Sequence, residues 1–166
     1  ELAVTMGPER FLREIHLAAR LQHPHILTVL DSGELPVPGG PPLLWFTMPY
    51  VEGDTLRRRL KRRGRFSVAE TVPVLEDIAR ALAYAHRRGV IHRDVKPENL
   101  MGGEDYVLLA DFGVAKPFGS GVDAVLPTLG GLGGTPTYLA PEQLSADGST
   151  GPRVDLYALG VVAYEL

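Results

Sequence analysis

Apolar positions first recur at helical spacing over Pro8–Gln22, where Phe11, Ile15, Ala18 and Leu21 share one face. Pro8 suits a first turn, because its missing N–H would have no partner there. His23-Pro24 ends the segment, since proline disfavours the helical conformation in the residue before it. Ile26–Leu30 and Leu43–Met48 have the length and character of strands, separated by the Pro/Gly-rich loop Pro36–Pro42. Asp54 or Thr55 can cap a short basic helix running to about Arg63. Ser67-Val-Ala-Glu70 has capping-box form and opens a long helix with Val72, Leu75, Ile78, Ala79, Leu82 and Ala85 on one face. Pro73 removes one backbone bond in its second turn and is expected to bend it slightly. Val90-Ile91 and Val107–Ala110 read as short strands. Phe118–Gly134 is rich in Gly and Pro with little periodicity, and structureless stretches this long are uncommon unless functional or disordered. The last run, Val154–Leu166, is apolar on nearly every face and calls for burial all round.

Composition narrows the class. With 166 residues and 45% hydrophobic side chains, the chain is one domain's worth of sequence and can bury a core. A net charge of −3 argues against a globally basic nucleic-acid binder. Cysteine is absent, which excludes disulfides and thiolate metal sites and agrees with a reducing compartment. No apolar run approaches the roughly 18 residues of a membrane span. The chain starts at Glu1 and stops inside its last apolar run, so it is expected to be a fragment of a larger domain.

Candidate chemistry sits in three motifs. His92-Arg-Asp-Val-Lys-Pro-Glu-Asn99 sets a carboxylate, an amine and an amide at offsets of zero, two and five; Asp111-Phe-Gly113 and Ala140-Pro-Glu142 follow. In this order the set resembles the catalytic core of protein kinases. The resemblance covers essentially the whole chain. It implies an α+β fold, a partial kinase bilobe: residues 1–48 the remnant of the small lobe, residues 49–166 the hinge and first part of the helical large lobe.

The implied reaction is transfer of the ATP γ-phosphate to Ser or Thr of protein substrates, with Mg²⁺ or, as a substitute, Mn²⁺. Such chemistry needs an aligned nucleophile, clamped phosphates and neutralised charge. The resemblance makes Asp94 the acceptor of the substrate hydroxyl proton and brings Lys96 to the γ-phosphate. Asn99 and Asp111 become oxygen ligands of the metal, which needs only one or two from protein. Phe112 packs in the core, and Gly113 lets its segment reorient. Glu14 matches the helix glutamate that pairs with an ATP-contacting lysine. Leu44–Gly53 resembles the hinge between lobes, with Met48 as gatekeeper and the backbone of Pro49 and Val51 meeting adenine. Arg93 looks like the arginine that receives an activation-loop phosphate. Asp155 resembles the buried aspartate that braces the catalytic loop, and Glu142 the glutamate whose arginine partner lies further along such domains.

Asp-Val-Lys-Pro-Glu-Asn and Gly134-Thr-Pro-Thr-Tyr-Leu-Ala-Pro-Glu142 look like the Ser/Thr class, with Thr135 expected beside Asp94 and Lys96. Leu21-Gln-His-Pro-His-Ile26 and Tyr84-Ala-His-Arg-Arg-Gly89 are similar to the eukaryotic-like kinases of bacteria. A phosphate on Thr128 would add about −2 charge and could pair with Arg93, so Thr128→Ala is expected to lower activity. The resemblance further implies self-association for autophosphorylation in trans and a cytoplasmic location, including as the cytoplasmic part of a membrane-anchored parent.

No Gly-x-Gly-x-x-Gly precedes Glu14, and the first lysine is Lys61. The expected cause is truncation, and the polypeptide alone is expected to be nearly inactive. The alternative is a pseudokinase or ATP-binding scaffold. Arg57–Arg65 places seven basic residues within nine, a pattern read as the solvated face of a short helix ahead of nucleic-acid binding. His16, His23 and His25 cluster in sequence but lack the Cys or paired carboxylates of a tetrahedral site. His86 and His92 are expected to be packed, hydrogen-bonded core histidines.

Overall fold

A computed structural model describes residues 8–103, 106–112, 136–144 and 151–166. Helix α1, Pro8–Ala19, stops three residues short of expectation. Its end tightens, with Arg20 N–H turning to the Leu17 carbonyl and Leu21 N–H to that of Ala18, while Gln22 N–H is taken by the Tyr84 hydroxyl at 3.2 Å.

The first strand lies later than the apolar run suggested. β1 is Asp31–Leu35 and β2 is Leu43–Thr47, antiparallel, with Asp31 opposite Thr47 and Leu35 opposite Leu43. Residues 26–30 divide their backbone bonds instead. Ile26 forms an isolated parallel bridge to Leu109, and Leu30 N–H reaches the Thr47 carbonyl at 2.8 Å. Closure of the 36–42 loop fixes the hairpin register, and the residues before it are taken by Leu109 at one end and Thr47 at the other.

Asp54–Thr55 forms the short strand β3, followed by α2, Leu56–Arg63, capped by the Thr55 side chain. α3, Val68–His86, opens with the expected capping box: Ser67 accepts from Glu70 N–H, and Glu70 accepts from Ser67 N–H. That return bond from the Ser67 backbone holds the Glu70 carboxyl below its ordinary range. Its buried stripe is Val74, Ile78, Ala81, Leu82 and Ala85, whereas Val72 is 54% exposed. The face is thus rotated from the one counted from Val72, because packing against the last helix and the central strands chooses between two apolar stripes.

Val90-Ile91 is not a strand: Val90 N–H closes the end of α3 on the Ala85 carbonyl. β4, Leu100–Gly102, joins β3 to β5, Leu108–Leu109, in a three-stranded sheet. The approach is close enough that a Cβ on Gly53, at φ +122°, would sit 2.6 Å from the Gly102 carbonyl oxygen. The last helix, α4, is Arg153–Glu165. It buries Val154, Asp155, Ala158 and Val162, and leaves Leu156, Tyr157 and Tyr164 exposed. One core runs from Ala18 and Leu21 through Ile78, Leu82, Val95 and Leu109 to Val162. Among the described residues no helix is long and apolar enough to cross a membrane.

Candidate active site

The loop from Val90 to Asn99 is held from beneath by one carboxylate. Asp155, fully buried in the first turn of α4, accepts His92 N–H at 2.9 Å on Oδ2 and Arg93 N–H at 2.7 Å on Oδ1. The His86 ring Nε2 meets Oδ2 at 2.7 Å. Arg93 adopts φ +65°, a left-handed conformation costing a residue with a Cβ roughly 1–2 kcal/mol, and its N–H bond to Asp155 sustains it.

His92 joins this loop to the Asp111 segment. Its Nε2 lies 2.8 Å from the Ala110 carbonyl and its Nδ1 3.2 Å from Asp94 N–H. A neutral ring with the proton on Nε2 satisfies both. Burial holds the imidazole below its ordinary pKa, outweighing the opposing pull of Asp155. The unfolded chain therefore binds a proton that the folded one refuses, and stability present above the ordinary imidazole pKa is lost as pH falls through it towards the lower folded value. Urea denaturation is expected to show the protein less stable at about pH 5.5 than at about pH 7.5, with the loss reduced in His92→Gln.

Above this anchor the polar groups converge. Asp94 Oδ2 accepts from Lys96 Nζ at 2.9 Å and from Asn99 Nδ2 at 3.2 Å, and the same Nδ2 reaches the Asp94 carbonyl at 2.8 Å. The 3₁₀ turn Pro97–Asn99 swings Asn99 back, closed by its N–H on the Lys96 carbonyl. Ala110 N–H bonds the Asn99 carbonyl at 2.9 Å, which ties the turn to the end of β5. Asp111 follows at φ +61° and is exposed; Phe112 is buried with its ring edge-on to His92, centroids 4.6 Å apart. Both amide hydrogens of Asn99 are aimed towards Asp94, which leaves its Oδ1 as a hard oxygen donor. That oxygen and the Asp111 carboxylate are of the donor type that suits a magnesium ion taking its remaining ligands from phosphate and water.

Met48 joins this site. With Val29, Phe46, Asp111 and Phe112 it lines a narrow cleft between the hairpin and the loop. Pro49 and Val51 instead line an adjoining groove with Ile26, Thr28 and Tyr106. Glu14 lies on α1, and Glu142 is exposed in the turn Pro141–Leu144. Gly113, Thr128 and Thr135 lie outside the described residues.

Most of the basic run is the solvated face expected of it, with Arg58, Lys61, Arg62, Arg63 and Arg65 exposed, but Arg57 and Arg59 turn inward. Arg59 is buried and donates to the Gly103 carbonyl at 2.7 Å; Arg58 and Arg62 both pair with Asp54; Arg63 pairs with Glu70. Arg57 turns to Glu98, Tyr138 and Glu165, a cluster that sequence reasoning missed. Burial works against the Arg57 charge, yet its bonds to Glu98 and Glu165 hold the guanidinium above its ordinary value. Burial, then the bond to Glu165, pushes the Tyr138 phenol up. Glu98 stood inside the octet as the only signal. His25 bonds the Val107 carbonyl and Asp77 with its two ring nitrogens, and His23 Nδ1 accepts from His25 N–H.

A family model described as the protein kinase domain matches residues 2–166. The probable serine/threonine-protein kinase pknA2 of Bifidobacterium longum is 43% identical over 159 residues, 95% of this chain and 20% of that protein. The serine/threonine-protein kinase PknB of Mycobacterium tuberculosis is 41% identical over 158 residues, 95% of this chain and 25% of its own. The crystal structure of the M. tuberculosis PknI kinase domain matches with a TM-score of 0.72 and 37% identity, across 100% of this chain and 59% of that one. The chain thus spans a fifth to a quarter of these curated relatives and about three fifths of that solved domain. It belongs to the protein kinase family, among the serine/threonine kinases of the eukaryotic-like type found in bacteria.

Proposed function

We propose that the protein is an ATP-dependent kinase acting on Ser or Thr of protein substrates. The observation that carries this reading is the convergence of Lys96 and Asn99 on one oxygen of Asp94, tied through His92 to the segment that presents Asp111. The substrate hydroxyl attacks the γ-phosphorus, its proton passes to Asp94, and ADP departs. Lys96 keeps its bond to Asp94 while contacting a γ-phosphate oxygen, so it links base and electrophile. Asn99 and Asp111 hold Mg²⁺, which when bound screens the negative charge of the phosphates. Thr135 shapes the hydroxyl site.

Residues 1–48 serve as the small-lobe part and residues 49–166 as the hinge and large-lobe part. Met48 borders the adenine site, while the Pro49 carbonyl and Val51 backbone contact the base. Glu14 pairs with an ATP-contacting lysine, and Gly113 allows the Asp111-Phe112 segment to reorient. Arg93 receives a phosphate carried by Thr128. Glu142 and Asp155 act structurally. Intracellular ATP as donor makes the location cytoplasmic, and self-association permits phosphorylation in trans. The test is transfer of label from γ-labelled ATP by the complete gene product. The expected label is on Ser or Thr of an acceptor protein and requires added Mg²⁺; no label, or label confined to Tyr, contradicts the reading.

A further inference from the structure

Glu98 and Arg57 have no part in the chemistry above, yet they meet beside it. The Arg57 guanidinium, in the first turn of α2, donates through Nε to Glu98 at 2.7 Å. Its Nη2 reaches the Tyr138 hydroxyl at 2.6 Å and Glu165 Oε2 at 3.2 Å, and Nη1 faces Glu165 Oε1 at 3.4 Å. The Tyr138 hydroxyl also donates to Glu165. One planar cation thereby joins four separate pieces of chain: α2, the turn 97–99, the turn 136–138 and the end of α4. Glu98 adjoins Asn99, whose amide grips Asp94. Tyr138 lies three residues beyond Thr135.

We propose that Arg57 is a positioning residue for the protein substrate, clamping the 136–138 turn and the end of α4 against the catalytic loop so that the acceptor hydroxyl meets Asp94 in register. This rests on the kinase reading above. The side chains of Arg57, Glu98 and Glu165 are 25%, 46% and 30% exposed, so the clamp forms part of an accessible wall. Two carboxylates share one guanidinium. Without it they repel, and the turns they anchor separate. Lysine supplies charge but not the planar fork that reaches Glu98, Tyr138 and Glu165 together. None of Arg57, Glu98, Tyr138 and Glu165 is among the described residues that line the Met48–Asp111 cleft, so loss of the clamp falls on the acceptor more than on the nucleotide.

The test is steady-state kinetics of the complete gene product with myelin basic protein as acceptor. Arg57→Met is expected to raise the acceptor KM about tenfold and to leave the ATP KM within about twofold. Arg57→Lys should recover only part of the loss, and Tyr138→Phe should raise the acceptor KM about threefold, giving a readout if Arg57→Met fails to fold. An unchanged acceptor KM in the folded variants overturns the proposal, as does a parallel rise in both KM values, the mark of general structural damage. Failure of the unsubstituted protein to transfer phosphate overturns the kinase reading itself, and this inference with it.

Discussion

Asp94→Asn is expected to lower kcat about 10³-fold, with little change in the KM for ATP. Asparagine keeps the size of the side chain and can still accept from Lys96 and Asn99. It cannot take the hydroxyl proton as the oxygen attacks. The expected metal ligands, Asn99 and Asp111, are untouched, so nucleotide binding should survive. That split separates a proton acceptor from a residue that merely shapes the loop, whose loss would raise KM as well. Measuring kcat and both KM values on a purified, folded variant checks it; a loss below about tenfold would remove Asp94 from the chemistry.

The second large effect is on stability. Asp155→Ala is expected to cost about 3–5 kcal/mol, because it strips three partners at once from a buried position. His92 N–H and Arg93 N–H would lose their acceptor away from water, and His86 its carboxylate. With a domain's total stability about 5–15 kcal/mol, such a variant should be marginally folded. The left-handed Arg93 would relax, carrying Asp94 out of place, so activity should fall even at temperatures where the fold persists. Chemical denaturation at low temperature reads the stability term. Asp155→Asn should cost less than the alanine variant, since one carbonyl oxygen remains to accept. Equal stability of Asp155→Ala and the unsubstituted protein would show that the loop is held some other way.

Local chemistry was legible where a few neighbouring residues decide it. Ser67 and Glu70 announce the start of α3, and the pair Asp54-Thr55 that of α2, with Thr55 proving to be the cap, because capping is settled within one turn. The octet and Asp111 announced the site for a similar reason: a tight turn brings offsets of two and five onto one carboxylate. What the sequence hid depends on distant partners. Whether Val72 or Val74 is buried is decided by the helix that packs there. Ile26–Leu30 looks like a strand, but its hydrogen bonds are shared between Leu109 and Thr47. Leu100–Gly102 is too short to show a period of two, so its pairing with Thr55 and Leu108 left no trace. The basic run reads correctly as a solvated face for most of its members, but not for the two that turn inward. Nothing local shows that Arg57 meets Glu165, more than a hundred positions away, or that Arg59 is buried under the Gly103 carbonyl.

Asp94, Lys96, Asn99 and Asp111 are together expected to hold a magnesium nucleotide facing an alcohol. The most direct test is label transfer from γ-labelled ATP by the complete gene product and by its Asp111→Asn variant, with far-UV circular dichroism to show that both are folded. Mg²⁺-dependent label on Ser or Thr is expected with the unsubstituted protein, and a loss of at least about a hundredfold in the variant. Equal transfer by the two proteins would contradict that expectation.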